Sequence, residues 1–302
     1  MAQLALGRRR VVGTSVRGSV HRRDGLPNQD AIAWTGPTGP GGSVVVALSD
    51  GHGSRKSFRS DTGARFAVDA AVEVGRIFVE FTPTAELSAA VVEETCGLLA
   101  TEIVSRWNGA VADHLAAFPL SEPELAELAQ TDGAAARQAV EDDPDVAYGA
   151  TLMVVVVLEA FAMFLQLGDG DILVVSPSGE ARRPLADDPR LMGNETTSLC
   201  MSRAEGEFRS ASEPLPLNEP TILLVATDGL GNAYPDERSF LQVGADLVTK
   251  IREEGLDRVA EELEGYLEEA SAHSGDDVTL AVVSIDVRQD AERSEPAPPE
   301  QG

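Results

Sequence analysis

The stretch SVVVALSDGHG (residues 43–53) is an apolar run of strand length that breaks into an Asp-Gly turn at Asp50. Three further stretches repeat the design: FAMFLQLGDGD (161–171) with Asp169, TILLVATDGL (221–230) with Asp228, and SGDDVTLAVV (274–283) with Asp276. Runs this short and this apolar read as buried strands, and Asp-Gly at a strand end leaves the sheet through a sharp turn that aims a carboxylate at the sheet edge. Glycine adds no side chain, so its carbonyl also approaches a ligand closely. Any one such Asp is a common turn former. Four of them, with a fifth in NQDA at Asp30, point to one shared cation site. Gathered carboxylates repel and raise one another's pKa unless a cation neutralises them. An all-oxygen ligand set suits Mg²⁺ or Mn²⁺ better than Zn²⁺.

Composition narrows the classes. The 302 residues and 43% hydrophobic content support a proper core, with a single catalytic domain as the simpler reading. Lys and Arg number 24 against 50 Asp and Glu, a net charge of −26, which disfavours nucleic acid and anionic membrane surfaces as partners. No apolar stretch approaches the roughly 20 residues that span a bilayer, and MAQLALGRRR is a poor signal peptide, so a cytoplasmic location is expected. Cys96 and Cys200 lie far apart and unpatterned, which indicates neither a disulfide framework nor a thiolate metal site.

The apolar pattern predicts strands at 11–15, 31–36 and 43–49, the opening forming a β-meander. Helical periodicity follows over about 61–140, broken by Pro83 and by SEPE at 121–124 into three helices. Strands are predicted at 150–158, 161–167, 172–176, 221–227 and 278–287, with two helices between the last pair. The polar, Pro- and Gly-rich stretch 182–220 reads as irregular. This order predicts an α+β fold, β-sheets packed together with helices outside them. Residues 1–287 read as one domain and 288–302, without apolar content, as a disordered acidic, Pro-rich tail.

In order along the chain, these motifs resemble the PPM family, the metal-dependent type 2C protein serine/threonine phosphatases, from about Val11 to Val287. The matching segments are Asn28-Gln29-Asp30-Ala31, Asp50-Gly51-His52-Gly53, Gly149-Ala150-Thr151, Gly168-Asp169-Gly170-Asp171, Thr227-Asp228-Gly229-Leu230 and Asp276-Asp277-Val278-Thr279. Each is short, but six in order form a specific signal. The resemblance implies a central antiparallel β-sandwich flanked by helices on both outer faces. It also implies two divalent cations, Mg²⁺ or Mn²⁺, bridged by Asp50, with Asp228 and Asp276 on one and the Gly51 carbonyl on the other. Asp30 would organise the second through water, and Asp169 with Asp228 would hold a possible third. In such a site the paired cations activate water for attack on phosphorus, and no side-chain nucleophile is needed. His52 resembles the family's general acid, the alternative being a loop imidazole with a structural hydrogen bond. Phosphorylated proteins are the implied substrates, and a Ser/Thr kinase is a possible partner.

Two departures stand out. The arginine that the family places five residues before the first Asp is here Gly25. Either His21, Arg22 or Arg23 reaches the phosphate from a reshaped loop, or the cations hold it alone; VHRRDG also reads as a plain solvated basic turn. Gln29 stands where glutamate is usual, a trait shared, like GNETTS (193–198), with a bacterial branch of the family. Two alternatives stay open at the level of sequence: a catalytically silent domain that binds a kinase or phosphoprotein, and a phosphatase of a small phosphoester.

Overall fold

A computed structural model describes residues 9–38, 42–81, 89–159, 161–190, 196–215 and 219–286. The strands are β1 (Arg9–Val16), β2 (Asp30–Trp34), β3 (Val44–Asp50), β4 (Leu152–Val157), β5 (Phe161–Leu167), β6 (Asp171–Val175), β7 (Ala181–Arg182), β8 (Arg209–Pro214), β9 (Thr221–Ala226) and β10 (Val278–Ile285). The helices are α1 (Ser19–Asp24), α2 (Ser60–Phe81), α3 (Ala89–Ala117), α4 (Glu122–Asp132), α5 (Ala134–Asp142), α6 (Asp228–Gly231), α7 (Glu237–Glu254) and α8 (Leu256–Ser274). The strands form two antiparallel sheets, ordered β1-β10-β9-β6-β7 and β2-β3-β4-β5-β8.

Alternation along each strand builds the layers, because successive side chains leave opposite faces. Val44, Val46 and Leu48 of β3 meet Leu223, Val225, Ala281 and Val283 of the other sheet in the interior. Their neighbours Val45 and Ala47 face α2 and α3. Leu224, Leu280 and Val282 face α7 and α8. Both faces of both sheets are therefore covered, which is why these strands read as unbroken apolar runs. The α-β-β-α sandwich expected from the family resemblance is the observed fold.

Several expectations are corrected. β1 does not join a meander with β2 and β3; it crosses to the other sheet and pairs antiparallel with β10, Arg9 opposite Ile285 and Val16 opposite Val278. Local pattern signals a strand but not its partner. The 61–140 block holds α2 to α5, not three helices, because Gly133 (φ 90°) separates α4 from α5. Ser121 and Glu124 of the SEPE segment form a capping box that starts α4. The stretch 182–220 is not wholly irregular: β8 pairs with β5 and closes one sheet edge. Pro83, residues 191–195 of the GNETTS region and the tail 288–302 lie outside the described residues. Among the described residues no helix is long and apolar enough to cross a membrane.

Candidate active site

Asp30 and Asp50 stand directly opposite each other at one end of the β2-β3 pair. Asp228 opens α6 immediately after β9, and Asp276 lies in the turn between α8 and β10. Both β9 and β10 belong to the opposite sheet, so the carboxylates approach from two sides of the sandwich. Two glycines of the Asp-Gly motifs make that approach possible. A Cβ on Gly51 would lie 2.7 Å from the carbonyl oxygens of Gln29 and Ser60, and one on Gly229 would lie 2.0 Å from the Asp277 carbonyl oxygen. Backbones this close leave no room for a side chain.

Asp30 is 8% exposed and reaches across to the other sheet. Its Oδ2 accepts hydrogen bonds from Thr227 Oγ1 at 2.7 Å and Thr279 Oγ1 at 2.6 Å. Thr279 Oγ1 also lies 2.7 Å from Ser15 Oγ, which accepts from Asn28 Nδ2 at 2.8 Å. A hydroxyl has one proton, so the bonds run as a chain from Asn28 through Ser15 and Thr279 to Asp30. Burial, assisted by the charges of Asp277 and Asp276 and opposed by the two threonines, pushes Asp30 up to about 8. Its Oδ1 is buried without a partner.

Asp50 is driven well above the usual carboxylate range by burial first, then by the charges of Asp30 and Asp228. Asp228 and Asp276 are raised as well, again chiefly by burial. Asp50 and Asp228 lie close enough for each to perturb the other's proton affinity. Asn232 Nδ2 holds Asp228 Oδ2 at 3.0 Å, while Asp228 Oδ1 is a second buried oxygen that no aligned donor satisfies. Asp169, exposed on the turn between β5 and β6, places its charge on Asp228, Asp276 and His52.

Buried orphan acceptors, mutual repulsion and an all-oxygen donor set fit hard divalent cations. Among the described residues no three His, Cys, Asp or Glu side chains close into a ready ligand shell. That is compatible with Mg²⁺-type binding, in which one or two carboxylates serve an ion that keeps several waters.

The turn before β4 holds His52. Its backbone N–H donates to the Gly149 carbonyl at 3.0 Å, and its ring packs on Gly149 so closely that a Cβ there would lie 2.7 Å from Cδ2. Burial lowers the imidazole pKa, and the Asp169 charge opposes that shift. Behind Gly149, the Tyr148 hydroxyl accepts from Arg59 NH1 and bonds His114 Nδ1, both at 2.7 Å. Arg59 also grips Glu124 with two hydrogen bonds. The α3-α4 corner is thereby tied to the turn beside His52.

The basic turn VHRRDG is α1, and its three basic residues have different places. His21 faces inward, with Nδ1 2.9 Å from Asp277 Oδ2; the distance is that of an ion pair, but the angle is not that of an aligned hydrogen bond. Arg22 donates to the Arg17 carbonyl and Arg23 pairs with Asp24. Neither arginine contacts the carboxylate cluster among the described bonds. Asp277 was not expected as a site residue. Its carboxylate is 3% exposed and accepts the backbone N–H groups of Gly18 and Gln29, which pins the loops before α1 and β2 to the start of β10. The doubled acid in SGDDVT was the only sequence signal, and it does not tell which of the two faces the loops.

The fold has many solved relatives at low identity. Stp1 from Staphylococcus aureus aligns over 94% of this chain and 98% of its own, with 16% identity and a TM-score of 0.59. The serine/threonine phosphatase of S. agalactiae aligns over 92% and 100%, with 19% identity and a TM-score of 0.52. The catalytic domain of the phosphatase PstP, solved with two manganese ions, aligns over 92% and 98%, with 17% identity and a TM-score of 0.55. At such identities the likeness speaks for the fold alone. No curated protein sequence matches the chain. The profile of the family described as "Protein phosphatase 2C", however, matches residues 17–268, most of the chain and all the acidic motifs except the last, and on that match the chain belongs to the protein phosphatase 2C family.

Proposed function

We propose that the carboxylate end of the sandwich is the centre at which this family member, a metal-dependent protein serine/threonine phosphatase, hydrolyses phosphoserine and phosphothreonine. One observation carries the reading: Asp30 and Asp228, 198 positions apart and held by opposite sheets, each turn a buried carboxylate oxygen without a hydrogen-bond partner towards the same end of the sandwich. Asp50, Asp228, Asp276 and the Gly51 carbonyl are assigned to two divalent cations, Mg²⁺ or Mn²⁺, with Asp30 organising one of them and Asp169 available to a third. When bound, the cations supply Lewis-acid activation of water and neutralise phosphate charge.

The chain's own residues do the rest. Thr227 and Thr279 hold Asp30 in one orientation. Asp277 and His21 fix the loops around it. His52 gives a proton to the departing seryl or threonyl oxygen; burial alone would keep its ring neutral, and the charges of Asp169 and of an arriving phosphate favour the protonated form. Arg22 and Arg23, exposed on α1, are assigned to the approach of the phosphate in place of the arginine missing at Gly25. Substrates are phosphoproteins produced by a Ser/Thr kinase in the cytoplasm.

Phosphate release from a phosphothreonine peptide, with and without Mn²⁺, tests the assignment. Release that needs Mn²⁺ and disappears in Asp50→Ala and Asp228→Ala supports it. Protein that binds Mn²⁺ and releases no phosphate would make the chain a regulatory domain. Cleavage of p-nitrophenyl phosphate without cleavage of phosphopeptides would redirect it to small esters.

A further inference from the structure

We propose that the cleft between α7 and α8, on the outer face of the molecule, is a binding site for a small organic ammonium compound with an apolar body, and that its occupancy is felt at the carboxylate end. The cleft has a volume of about 550 Å³, within the range of small-molecule sites. Val243 and Leu247 of α7 and Val259 and Leu263 of α8 give it apolar walls. Tyr234 and Tyr266 also line it, and their hydroxyls lie 2.6 Å apart. One phenol donates to the other, and the oxygens keep lone pairs that can accept from a ligand N–H. Burial and the neighbouring phenol raise the Tyr266 pKa, so this hydroxyl stays uncharged.

Charge selects the ligand class. Asp246, Glu261, Glu262 and Glu269 line the cleft with Lys250; Arg258, outside the lining, pairs with Glu261 and Glu262, which leaves Asp246 and Glu269 without a cationic partner among the described ion pairs. Lys250 is already engaged by Glu262 and Glu254. The field of Asp246 reaches the Tyr266 hydroxyl, so negative charge and phenol serve the same part of the cleft. An ammonium group beside Asp246 and the phenols, with an aryl or alkyl body against the four aliphatic side chains, satisfies both features. An anion of the same shape would meet repulsion.

The phenol pair joins two segments that end in site aspartates. Tyr234 closes the turn that follows α6, with its N–H on the Gly231 carbonyl at 3.1 Å, and α6 begins with Asp228. Tyr266 lies on α8, whose last turn hands the chain to Asp276 through Gly275 N–H on the Ser271 carbonyl at 2.8 Å. A ligand touching both phenols thus bears on the backbone behind Asp228 and Asp276. Binding stands apart from the phosphatase reading; only an effect on turnover would rest on it.

The test uses the full chain and three probes with one body: 4-phenylbutylamine, 4-phenylbutan-1-ol and 4-phenylbutyrate. Calorimetric titration should show the amine binding about tenfold more tightly than the alcohol, and the acid least of all. Gly265 lines the cleft, and a Cβ there meets nothing within 4 Å, so Gly265→Leu should fold and fill the site, weakening the amine about tenfold. Asp246→Asn should erase the preference for amine over alcohol. In amide NMR spectra, the amine should shift signals of residues 228–232 and 275–277 as well as those lining the cleft. Equal binding of the three probes, or amine binding that survives Gly265→Leu unchanged, would overturn the site. Shifts confined to the cleft would overturn the coupling. Absence of phosphatase activity with these results intact would leave the site standing and remove the catalytic assignment instead.

Discussion

Within a few residues the same strands build two opposite environments. Along β3, Val44, Val46 and Leu48 are wholly buried against the facing sheet, and two residues later Asp50 sits among carboxylates. Along β9, Leu223 and Val225 fill the interior, and Asp228 follows just past the strand end. The interior is an arrangement in which every neighbour helps, since apolar burial contributes about 25 cal/mol per Å² and asks nothing of direction. At the carboxylate end, burial raises the free energy of each charge and every acid raises that of the next. The contrast shows where stability is made and where it is given up: the sandwich holds together groups that would separate if left alone.

The sharpest break of that contrast is Asp50→Ala. It should take phosphopeptide hydrolysis to background while leaving the metal-free protein at least as thermally stable as the wild type, because one repelling charge has gone. Clear loss of metal-free melting temperature would mean that Asp50 supports the fold. Next is His52→Ala, expected to slow phosphothreonine peptide hydrolysis by about 10²- to 10⁴-fold, the usual worth of a positioned acid. Hydrolysis of p-nitrophenyl phosphate should hardly change, because its phenolate leaves without a proton. Equal slowing of both esters would return His52 to a structural role.

The converse change lies in the interior. Leu223→Ala should cost about 2–5 kcal/mol of stability through lost burial and a cavity, with turnover per folded molecule unchanged. Loss of turnover at a temperature where the variant is fully folded would show that the interior and the site are not separable.

The remaining expected effect is a slope with pH. Asp30 stands near 8 in the folded chain against about 3.9 when unfolded, so the folded state holds its proton more tightly. The stability this contributes is complete below about pH 4 and is lost as pH rises through 8. Asp50, Asp228 and Asp276 are displaced in the same direction. The metal-free melting temperature should therefore fall between pH 5 and pH 8.5, fall less steeply in Asp30→Asn, and lose much of that slope with saturating Mn²⁺. An identical slope in Asp30→Asn would remove Asp30 from the cluster.

Most strands were readable because both their faces are buried, which leaves runs such as 152–157 and 278–285 with almost no polar residue. The Asp-Gly turns were readable because only glycine fits where Gly51 and Gly229 touch a neighbouring backbone. Other features left no local mark. The departure of β1 to the far sheet depends on β10, more than two hundred residues away. Asn28, Ser15 and Thr279 look like ordinary polar residues until the fold lines them up behind Asp30. His21 lies in a basic run that suggested a solvent-facing or phosphate-binding role, and its partner Asp277 comes from the other end of the chain.

The amino-acid sequence by itself determined most of the strands, where the carboxylate turns fall and which family the motifs resemble, since periodicity, Asp-Gly chemistry and motif order are local properties. Only the tertiary structure decided that Asp30 crosses the sandwich to two threonines, that Asp277 binds loops and that α7 and α8 leave a cleft backed by two tyrosines. The physical reason is the same throughout. A side chain's charge state and hydrogen-bond partners depend on groups brought near by packing, and distance along the chain carries no information about them.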